Sequence, residues 1–214
     1  MRSAKATILA RLKKHLGDAG KVPFSAEPAA VPQKLDRAQN VDRFIRLLRE
    51  NRAHVVPIKR DDIARVVKNQ LQQRGVGQLM GAGHWLESLE ELEDEIAFST
   101  FYSTIDGHKE ALFNSVPAAI TGSHCGIAST GSIVLWPDAA EPRSLSLVPP
   151  LHIVVVEQNA IYNDFGDLIK SQCWSGQLPS NVVLISGPSK TADIQQTLAY
   201  GAHGPRELVV LLVE

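Results

Sequence analysis

The segment Leu151-His-Ile-Val-Val-Val156 is an uninterrupted apolar run rich in β-branched residues, and it predicts a strand over His152–Glu157. Such a run is typical of a strand that is buried on both faces of a sheet. Four similar runs occur in the C-terminal half: Val116–Thr121, Ser132–Trp136, Val182–Ser186 and Leu208–Val213. Helical spacing separates the last three strands, over about Asn163–Cys173 and Thr191–Tyr200. We therefore predict an α/β fold with a mostly parallel sheet covered by helices.

The N-terminal region has a different pattern. Residues 4–16 place four apolar side chains at helical spacing, and three prolines follow between Gly17 and Lys34. Proline removes an amide donor, so no long helix runs through this second stretch. We predict an N-terminal helical arm with a proline-containing strap over residues 1–33, and one α/β domain over residues 34–214.

The segment between Val41 and Gly75 predicts helix, strand and helix in turn. The strand covers His54–Ile58, and either Asp61 or Asp62 is a candidate cap for the helix that follows. Gly75 is a suitable residue to end that helix in the left-handed conformation.

Composition and charge exclude several classes of protein. The formal net charge is −1, which argues against general binding to nucleic acid or to a membrane surface. The two cysteines, Cys125 and Cys173, are too few for a disulfide framework or for the thiolates of an iron–sulfur cluster. No apolar run approaches the roughly 20 residues that span a bilayer. We expect a cytoplasmic protein.

The first candidate binding loop is Thr121–Ser132, which holds three glycines and five hydroxyl residues. If it follows a parallel strand, it lies at the carboxyl edge of the sheet, where ligands bind in such folds. Glycines allow close approach of the backbone, and amides with hydroxyls are neutral donors to an anion. The alternative is a tight structural crossover whose hydroxyls bond its own backbone.

The second candidate loop is Ser186–Asp193. Ser189 is a candidate N-cap of the predicted helix over Thr191–Tyr200, and the amides of a first helical turn favour phosphate or carboxylate. Lys190 would add a positive charge. The alternative is that Ser189 merely caps the helix and that Asp193 merely offsets its dipole.

Histidine and cysteine give weaker indications. Three histidines, His124, His152 and His203, lie in the C-terminal half, and neither His152 nor His203 has metal-ligand spacing to a partner. No Gly-x-Ser-x-Gly motif is present, and a Ser/His/Asp triad cannot be assembled from spacing. Cys125 next to His124 is better interpreted as a small buried thiol than as a reactive thiolate.

Five segments together resemble a known family. They are Ala118-Ala-Ile-Thr-Gly122, Gly126-Ile-Ala-Ser-Thr-Gly-Ser-Ile-Val-Leu135, Leu151-His-Ile-Val-Val-Val156, Ser186-Gly-Pro-Ser-Lys-Thr-Ala-Asp-Ile194 and Tyr200-Gly-Ala-His-Gly-Pro205. From about residue 95 to the C-terminus, the chain resembles the lactate-utilisation (LUD) domain family. The resemblance implies a three-layer α/β/α fold similar to that of ribose-5-phosphate isomerase, glucosamine-6-phosphate deaminase and the CoA transferases.

The resemblance also implies a function. The family takes part in the oxidation of L-lactate to pyruvate beside two iron–sulfur partner proteins, so clusters are expected in those partners and no cofactor in this chain. The ligand would be a small carboxylate, a phosphate or a nucleotide. The two loops and the two histidines beside them give these candidate anion-binding residues: Thr121, Gly122, Ser129, Thr130, Gly131, Ser132, His152, Ser189, Lys190, Thr191 and His203.

One candidate departs from the family pattern. Ser129 stands where the family usually has glutamate, which removes a possible general base and favours binding over catalysis. We therefore expect an accessory protein or subunit of an iron–sulfur lactate oxidation system. The alternatives are an autonomous enzyme acting on a phosphorylated or CoA-linked small molecule, and a scaffold that docks through residues 1–33.

Overall fold

The computed structural model describes residues 4–16, 34–89, 92, 95–101, 105–172, 179–192, 198–201 and 203–214. The chain divides into two compact units, residues 1–33 and 34–214. In the first unit, helix α1 (Ala4–Leu16) has Ile8, Leu9 and Leu12 about half exposed. The predicted proline strap lies outside the described residues.

The second unit alternates short helices and strands. Its helices are α2 (Arg37–Glu50), α3 (Ile63–Gln72), α4 (Leu86–Leu89), α5 (Ile105–Asn114), α6 (Arg143–Leu147) and α7 (Phe165–Ser171). Its strands are β1 (His54–Ile58), β2 (Gln78–Ala82), β3 (Ala97–Phe101), β4 (Ala118–Thr121), β5 (Cys125–Ile127), β6 (Ser132–Leu135), β7 (Leu151–Glu157), β8 (Ile161–Tyr162), β9 (Val183–Ile185), β10 (Lys190–Ala192), β11 (Leu198–Tyr200) and β12 (Glu207–Val213).

The central sheet is parallel, as the sequence predicts. Its six described strands have the order β1-β12-β7-β4-β2-β3, and each neighbouring pair runs in the same direction. In the middle of the sheet, His152 of β7 pairs with Leu208 of β12 on one side and with Ala119 of β4 on the other. The carboxyl ends of β4 and β7 therefore meet at one edge of the sheet.

Apolar residues cover both faces of this sheet, which explains the unbroken apolar runs. Ile153 and Leu211 share a core cluster with residues of α3, whereas Val154 and Leu212 share another with Phe44 of α2. Alternate residues of a strand point to opposite faces, so a strand covered on both sides needs an apolar residue at every position. The result is an α/β fold with helices on both faces of the sheet.

Two of the predicted strands belong to a different sheet. Strands β6 and β9 lie in a smaller sheet of order β8-β5-β6-β9, in which β6 runs antiparallel to both β5 and β9. Ile133 and Leu135 of β6 pack in the same cluster as Val154 of the parallel sheet. The prediction of a mostly parallel sheet holds for the central sheet but does not extend to these two runs, because an apolar run indicates burial but not which strand is its partner.

The helix predicted over Thr191–Tyr200 was also wrong in its described part. Strands β10 and β11 occupy both ends of that range and pair antiparallel, with Lys190 opposite Tyr200. Residues 193–197, and with them Asp193, lie outside the described part of the chain. Ser189 therefore precedes a strand and is not a helix N-cap.

The residues predicted at the two ends of α3 differ in their outcome: Asp62 does not cap the helix, whereas Gly75 is left-handed. Asp62 makes no capping bond to α3, and its carboxylate instead accepts hydrogen bonds from the Arg65 side chain at 2.7 and 3.2 Å. Gly75 does adopt the left-handed conformation, with a φ of 64°, three residues after the helix ends. Among the helices that the structure describes, none is long and apolar enough to cross a membrane.

Candidate anion-binding cleft

A cleft of about 210 Å³ lies at the carboxyl end of β4. The segment that follows β4, the end of β6 and the loop that leads into α6 form its walls. Its lining residues are Thr121, Gly122, Ser123, His124, Leu135, Trp136, Pro137, Glu141, Pro142, Arg143 and Ser146. The cleft thus occupies the edge at which open parallel sheets bind ligands.

The donors of this cleft hold a carboxylate of the chain itself. The amide of Gly122 donates to Oε1 and Oε2 of Glu141 at 3.0 and 3.1 Å, and the indole Nε1 of Trp85 donates to Oε1 at 3.0 Å. His84 Nε2 lies 3.7 Å from the same oxygen. Neutral N–H groups that converge on one carboxylate are the usual means of binding a small anion without a full positive charge.

Sequence reasoning did not find Glu141. The residue lies in a proline-containing loop without helical or strand periodicity, and its partner Gly122 is 19 residues away in the chain. Asp138 shapes this loop, because its Oδ1 accepts hydrogen bonds from the amides of Ala140 and Glu141 at 2.8 and 2.7 Å. An aspartate followed by two alanines and a glutamate indicates a turn, but not what the glutamate binds.

Thr121 connects the cleft to a buried histidine. The Oγ1 atom of Thr121 lies 2.8 Å from Nε2 of His152, on the neighbouring strand β7. His152 is fully buried, and this burial lowers its pKa to about 3, so its imidazole is neutral at physiological pH. Its Nδ1 atom has no hydrogen-bond partner among the described residues.

The neutral imidazole determines how Thr121 presents its hydroxyl. If Thr121 donated to Nε2, the ring proton would lie on Nδ1 as a buried donor without a described acceptor, which is rare in proteins. The tautomer protonated on Nε2 avoids that arrangement and donates to Thr121. The hydroxyl of Thr121, a residue that is itself only 3% exposed, then accepts this bond and keeps its own proton to donate.

Arg143 adds a positive charge to the cleft. The residue is exposed at the start of α6, and it forms no ion pair with any carboxylate in the described ranges. On another wall, the ring of His124 meets that of Trp136 edge-on, with centroids 4.6 Å apart. The cleft therefore combines neutral donors, one guanidinium and an aromatic wall.

The second half of the first candidate loop lies away from the cleft. Strands β5 and β6 form a hairpin, and residues 128–131 are its turn, so Ser129, Thr130 and Gly131 are separated from Thr121 by the length of β5. The hydroxyls there bond to one another: Thr130 Oγ1 lies 2.7 Å from Ser132 Oγ, which lies 2.8 Å from Ser186 Oγ.

Gly131 is required by packing in this turn. Its φ is 60°, and a Cβ added to it would lie 2.5 Å from the Cβ of Leu47 in α2. The Ser129 amide donates to the carbonyl of Asn163 and its carbonyl accepts from the Arg43 side chain. These contacts agree with the structural alternative for this half of the loop, in which the turn bonds to the protein itself.

The second candidate loop lies at the opposite edge of the sheet. The Ser189 amide donates to the carbonyl of Pro205 at 2.8 Å, and the Arg206 amide donates to the carbonyl of Pro150. Pro150 and Arg206 immediately precede β7 and β12. Ser189 therefore lies at the amino ends of these strands, together with Lys190, Thr191 and His203. The structure thus places Thr121, Gly122 and His152 together at the cleft, and Thr130 and Ser132 beside Ser186 of the second loop. Ser189 and its neighbours lie apart from the cleft, and the binding of an anion by these candidates stays a prediction.

Cys125 takes no part in the cleft. It is a free cysteine with no exposed surface, and burial raises the pKa of its thiol to about 12. The thiol is thus protonated at neutral pH, as expected of a structural cysteine. Within the described residues, no group of three or more His, Cys, Asp or Glu side chains is placed to hold a metal ion.

Comparison with known proteins identifies the family. The model of the LUD domain matches residues 41–213. A Deinococcus radiodurans protein named lactate utilization protein C is 28% identical over 199 residues, which is 91% of this chain and 89% of that protein. An uncharacterized protein of Neisseria meningitidis serogroup B is 48% identical over 114 residues, and a Bacillus subtilis lactate utilization protein C is 35% identical over 98 residues.

Coverage and fold qualify these matches. The alignments with the Neisseria and Bacillus subtilis proteins span 49% and 41% of those proteins and 53% and 44% of this chain. A crystal structure of a DUF162 family protein from Deinococcus radiodurans covers 85% of this chain and all of its own, with a TM-score of 0.64 and 20% identity, which supports the fold. Since the domain model spans most of the sequence, this chain belongs to the LUD domain family.

Proposed function

We propose that this chain acts in lactate utilization, as a cytoplasmic accessory protein or subunit of an iron–sulfur system that oxidises L-lactate to pyruvate. The names of its relatives support this role. The two cysteines cannot supply the thiolates of a cluster, so partner proteins would carry the redox centres. In this proposal the chain contributes a binding site for a small carboxylate.

The observation that carries the binding proposal is the placement of Glu141. A carboxylate already lies against the amide of Gly122 and the indole of Trp85, so the cleft has donors of the right kind and geometry. A free carboxylate would interact with the hydroxyl of Thr121 and with the guanidinium of Arg143, which line the same cleft. Bidentate binding of a carboxylate by arginine is the strongest contact available there.

This arrangement predicts opposite effects of two charge changes. A bound carboxylate would lie close to Glu141, whose negative charge opposes it, and beside Arg143, which attracts it. Glu141→Gln should therefore strengthen the binding of L-lactate, and Arg143→Gln should weaken it by about tenfold or more. Arg65→Gln is a matched control, because Arg65 is exposed on α3 and pairs locally with Asp62.

Isothermal titration of the full chain with L-lactate, pyruvate and acetate tests the proposal. We expect saturable binding of L-lactate or pyruvate and a wild-type affinity in Arg65→Gln. We also expect a higher affinity in Glu141→Gln and a lower affinity in Arg143→Gln. Equal affinity in all variants would place the ligand elsewhere and overturn the assignment of the cleft. An absence of binding to any of these carboxylates would overturn the proposal that the chain itself binds them.

One observation bears on the alternative of an autonomous enzyme. The Thr121 hydroxyl and a histidine nitrogen are within hydrogen-bond distance, as a nucleophile and its base would be. However, such a base is normally held by a third group at its other nitrogen, and Nδ1 of His152 has no such partner in the described part of the chain. The pair therefore suits a binding role better than a catalytic one.

A further inference from the structure

A second pocket, at the opposite edge of the sheet, is rich in arginine. It has a volume of about 320 Å³ and lies at the amino ends of β1 and β12. Arg52, Arg74 and Arg206 line it together with His54 and Glu207. The pocket shares no lining residue with the cleft at the carboxyl end of β4.

Arginine outnumbers carboxylate among the described residues that line this pocket. Glu207 is the one carboxylate among the described residues that line it, and Arg74 Nε already donates to its Oε2 at 2.7 Å. Arg206 forms no ion pair with any described carboxylate.

The pKa of His54, which lines the same pocket, is lowered. Burial lowers its pKa first, and the charges of Arg74 and Arg49 lower it further, against the opposite effect of Glu207. Its imidazole is consequently neutral at physiological pH and offers one donor without adding to the charge. A neutral donor among arginines is compatible with an oxyanion ligand.

Arg74 is held in place before any ligand arrives. Its Nη1 atom donates to the carbonyl of Gln70 at 2.9 Å and to the Oε1 atom of the same residue at 3.0 Å. With the bond to Glu207, both ends of the guanidinium are fixed, and its side chain is only 20% exposed. A fixed guanidinium loses less conformational entropy when it binds a ligand.

Arg52 occupies a backbone position that normally favours glycine. Its φ is 67°, directly after the C-cap of α2, where its amide donates to the carbonyl of Arg49 and the amide of Ala53 to that of Leu48. After α3 the chain has Gly75 in the same left-handed conformation, with a φ of 64°. A side chain costs conformational energy at such a position, and residues that bear this cost concentrate at functional sites.

We propose that this pocket binds a phosphate group, with Arg52, Arg74 and Arg206 as its donors. The guanidinium fork matches two phosphate oxygens, which is why arginine predominates in phosphate recognition. Pro188 forms part of the wall, so the loop over Ser186–Thr191 borders this pocket. The phosphate could be free inorganic phosphate or part of a phosphorylated metabolite.

Titration of the full chain with inorganic phosphate, ribose 5-phosphate and ATP tests the pocket and separates these sources. We expect saturable binding of at least one probe, and a loss of about tenfold or more in Arg206→Gln. Arg65→Gln, on the exposed side of α3, should bind the probe as the wild-type chain does. Tightest binding of inorganic phosphate would identify the free ion, and tighter binding of ribose 5-phosphate or ATP would identify a phosphorylated metabolite.

Arg52→Gly gives an independent readout, because it should weaken binding while removing the backbone strain. Its melting temperature should therefore equal or exceed that of the wild-type chain, so a loss of binding cannot be attributed to unfolding. No saturable binding of any probe, or wild-type affinity in both Arg206→Gln and Arg52→Gly, would overturn the proposal. A lower melting temperature of Arg52→Gly would contradict the strain argument that supports it.

Discussion

The Nε2 atom of His152 lies 2.8 Å from the Oγ1 atom of Thr121, and this contact joins the buried centre of the parallel sheet to the cleft at its edge. His152 is fully buried between β4 and β12, whereas Thr121 lines the cleft. A core histidine is thus hydrogen-bonded directly to a residue of the cleft wall.

Burial of His152 predicts a pH dependence of stability. The pKa is about 3 in the folded chain and 6.5 in the unfolded chain, so the unfolded state takes up a proton first as the pH falls. The free energy of unfolding should fall below pH 6.5 by about 1.4 kcal/mol per pH unit. Urea unfolding between about pH 7 and pH 5 measures this slope. The His152→Gln variant, whose side chain does not titrate, should lose less free energy of unfolding over this range. Identical slopes in the variant and the wild-type chain would contradict the assignment of this pH dependence to His152.

Removal of the Thr121 hydroxyl should destabilise the fold. Thr121→Val keeps the shape of the side chain but leaves Nε2 of His152 without its partner, and a buried group left unsatisfied costs about 1–3 kcal/mol. Thr121→Ser retains the hydroxyl and is the matched control. Urea unfolding at neutral pH compares them. A Val variant as stable as the Ser variant would show that the hydrogen bond contributes nothing net.

Alanine substitutions at three glycines distinguish the effect of backbone strain on stability from the effect of steric overlap. Gly131→Ala should suffer both, because of its φ of 60° and because the new Cβ would lie 2.5 Å from that of Leu47. Gly75→Ala should suffer strain alone, about 1–2 kcal/mol, since nothing lies within 4 Å of its added Cβ. Gly77→Ala, with open space and no positive φ, should be close to neutral. Any other order of melting temperatures would contradict this account of the turn.

The sequence predicts the strands well but not their pairing. The runs at Ser132–Trp136 and Val182–Ser186 do form strands, over Ser132–Leu135 and Val183–Ile185. The direction of β6 depends on the tight turn at residues 128–131, which joins β5 and β6 in a hairpin where the sequence is equally typical of a crossover loop. Glycine and hydroxyl residues are typical of both structures, so composition does not distinguish them.

Of the residues at the candidate site, only Thr121, Gly122 and His152 were predictable from the sequence. Thr121 and Gly122 follow a well-defined buried strand, and their position at the carboxyl edge is a consequence of the fold. Arg143 and Glu141 lie at the start of α6 and in the loop before it, whereas Trp85 is 56 residues before Glu141 in the chain. Their convergence results from the packing of α4 and α6 around the sheet, which leaves no periodic signal in the sequence.

The most direct test of the proposed function is lactate-dependent electron transfer by the iron–sulfur partner proteins, with and without this chain. The readout is the rate of reduction of an artificial electron acceptor at saturating L-lactate. We expect the wild-type chain to raise this rate, and the Arg143→Gln variant to raise it less than the Arg65→Gln control does. An unchanged rate on addition of the wild-type chain would contradict its role in the system.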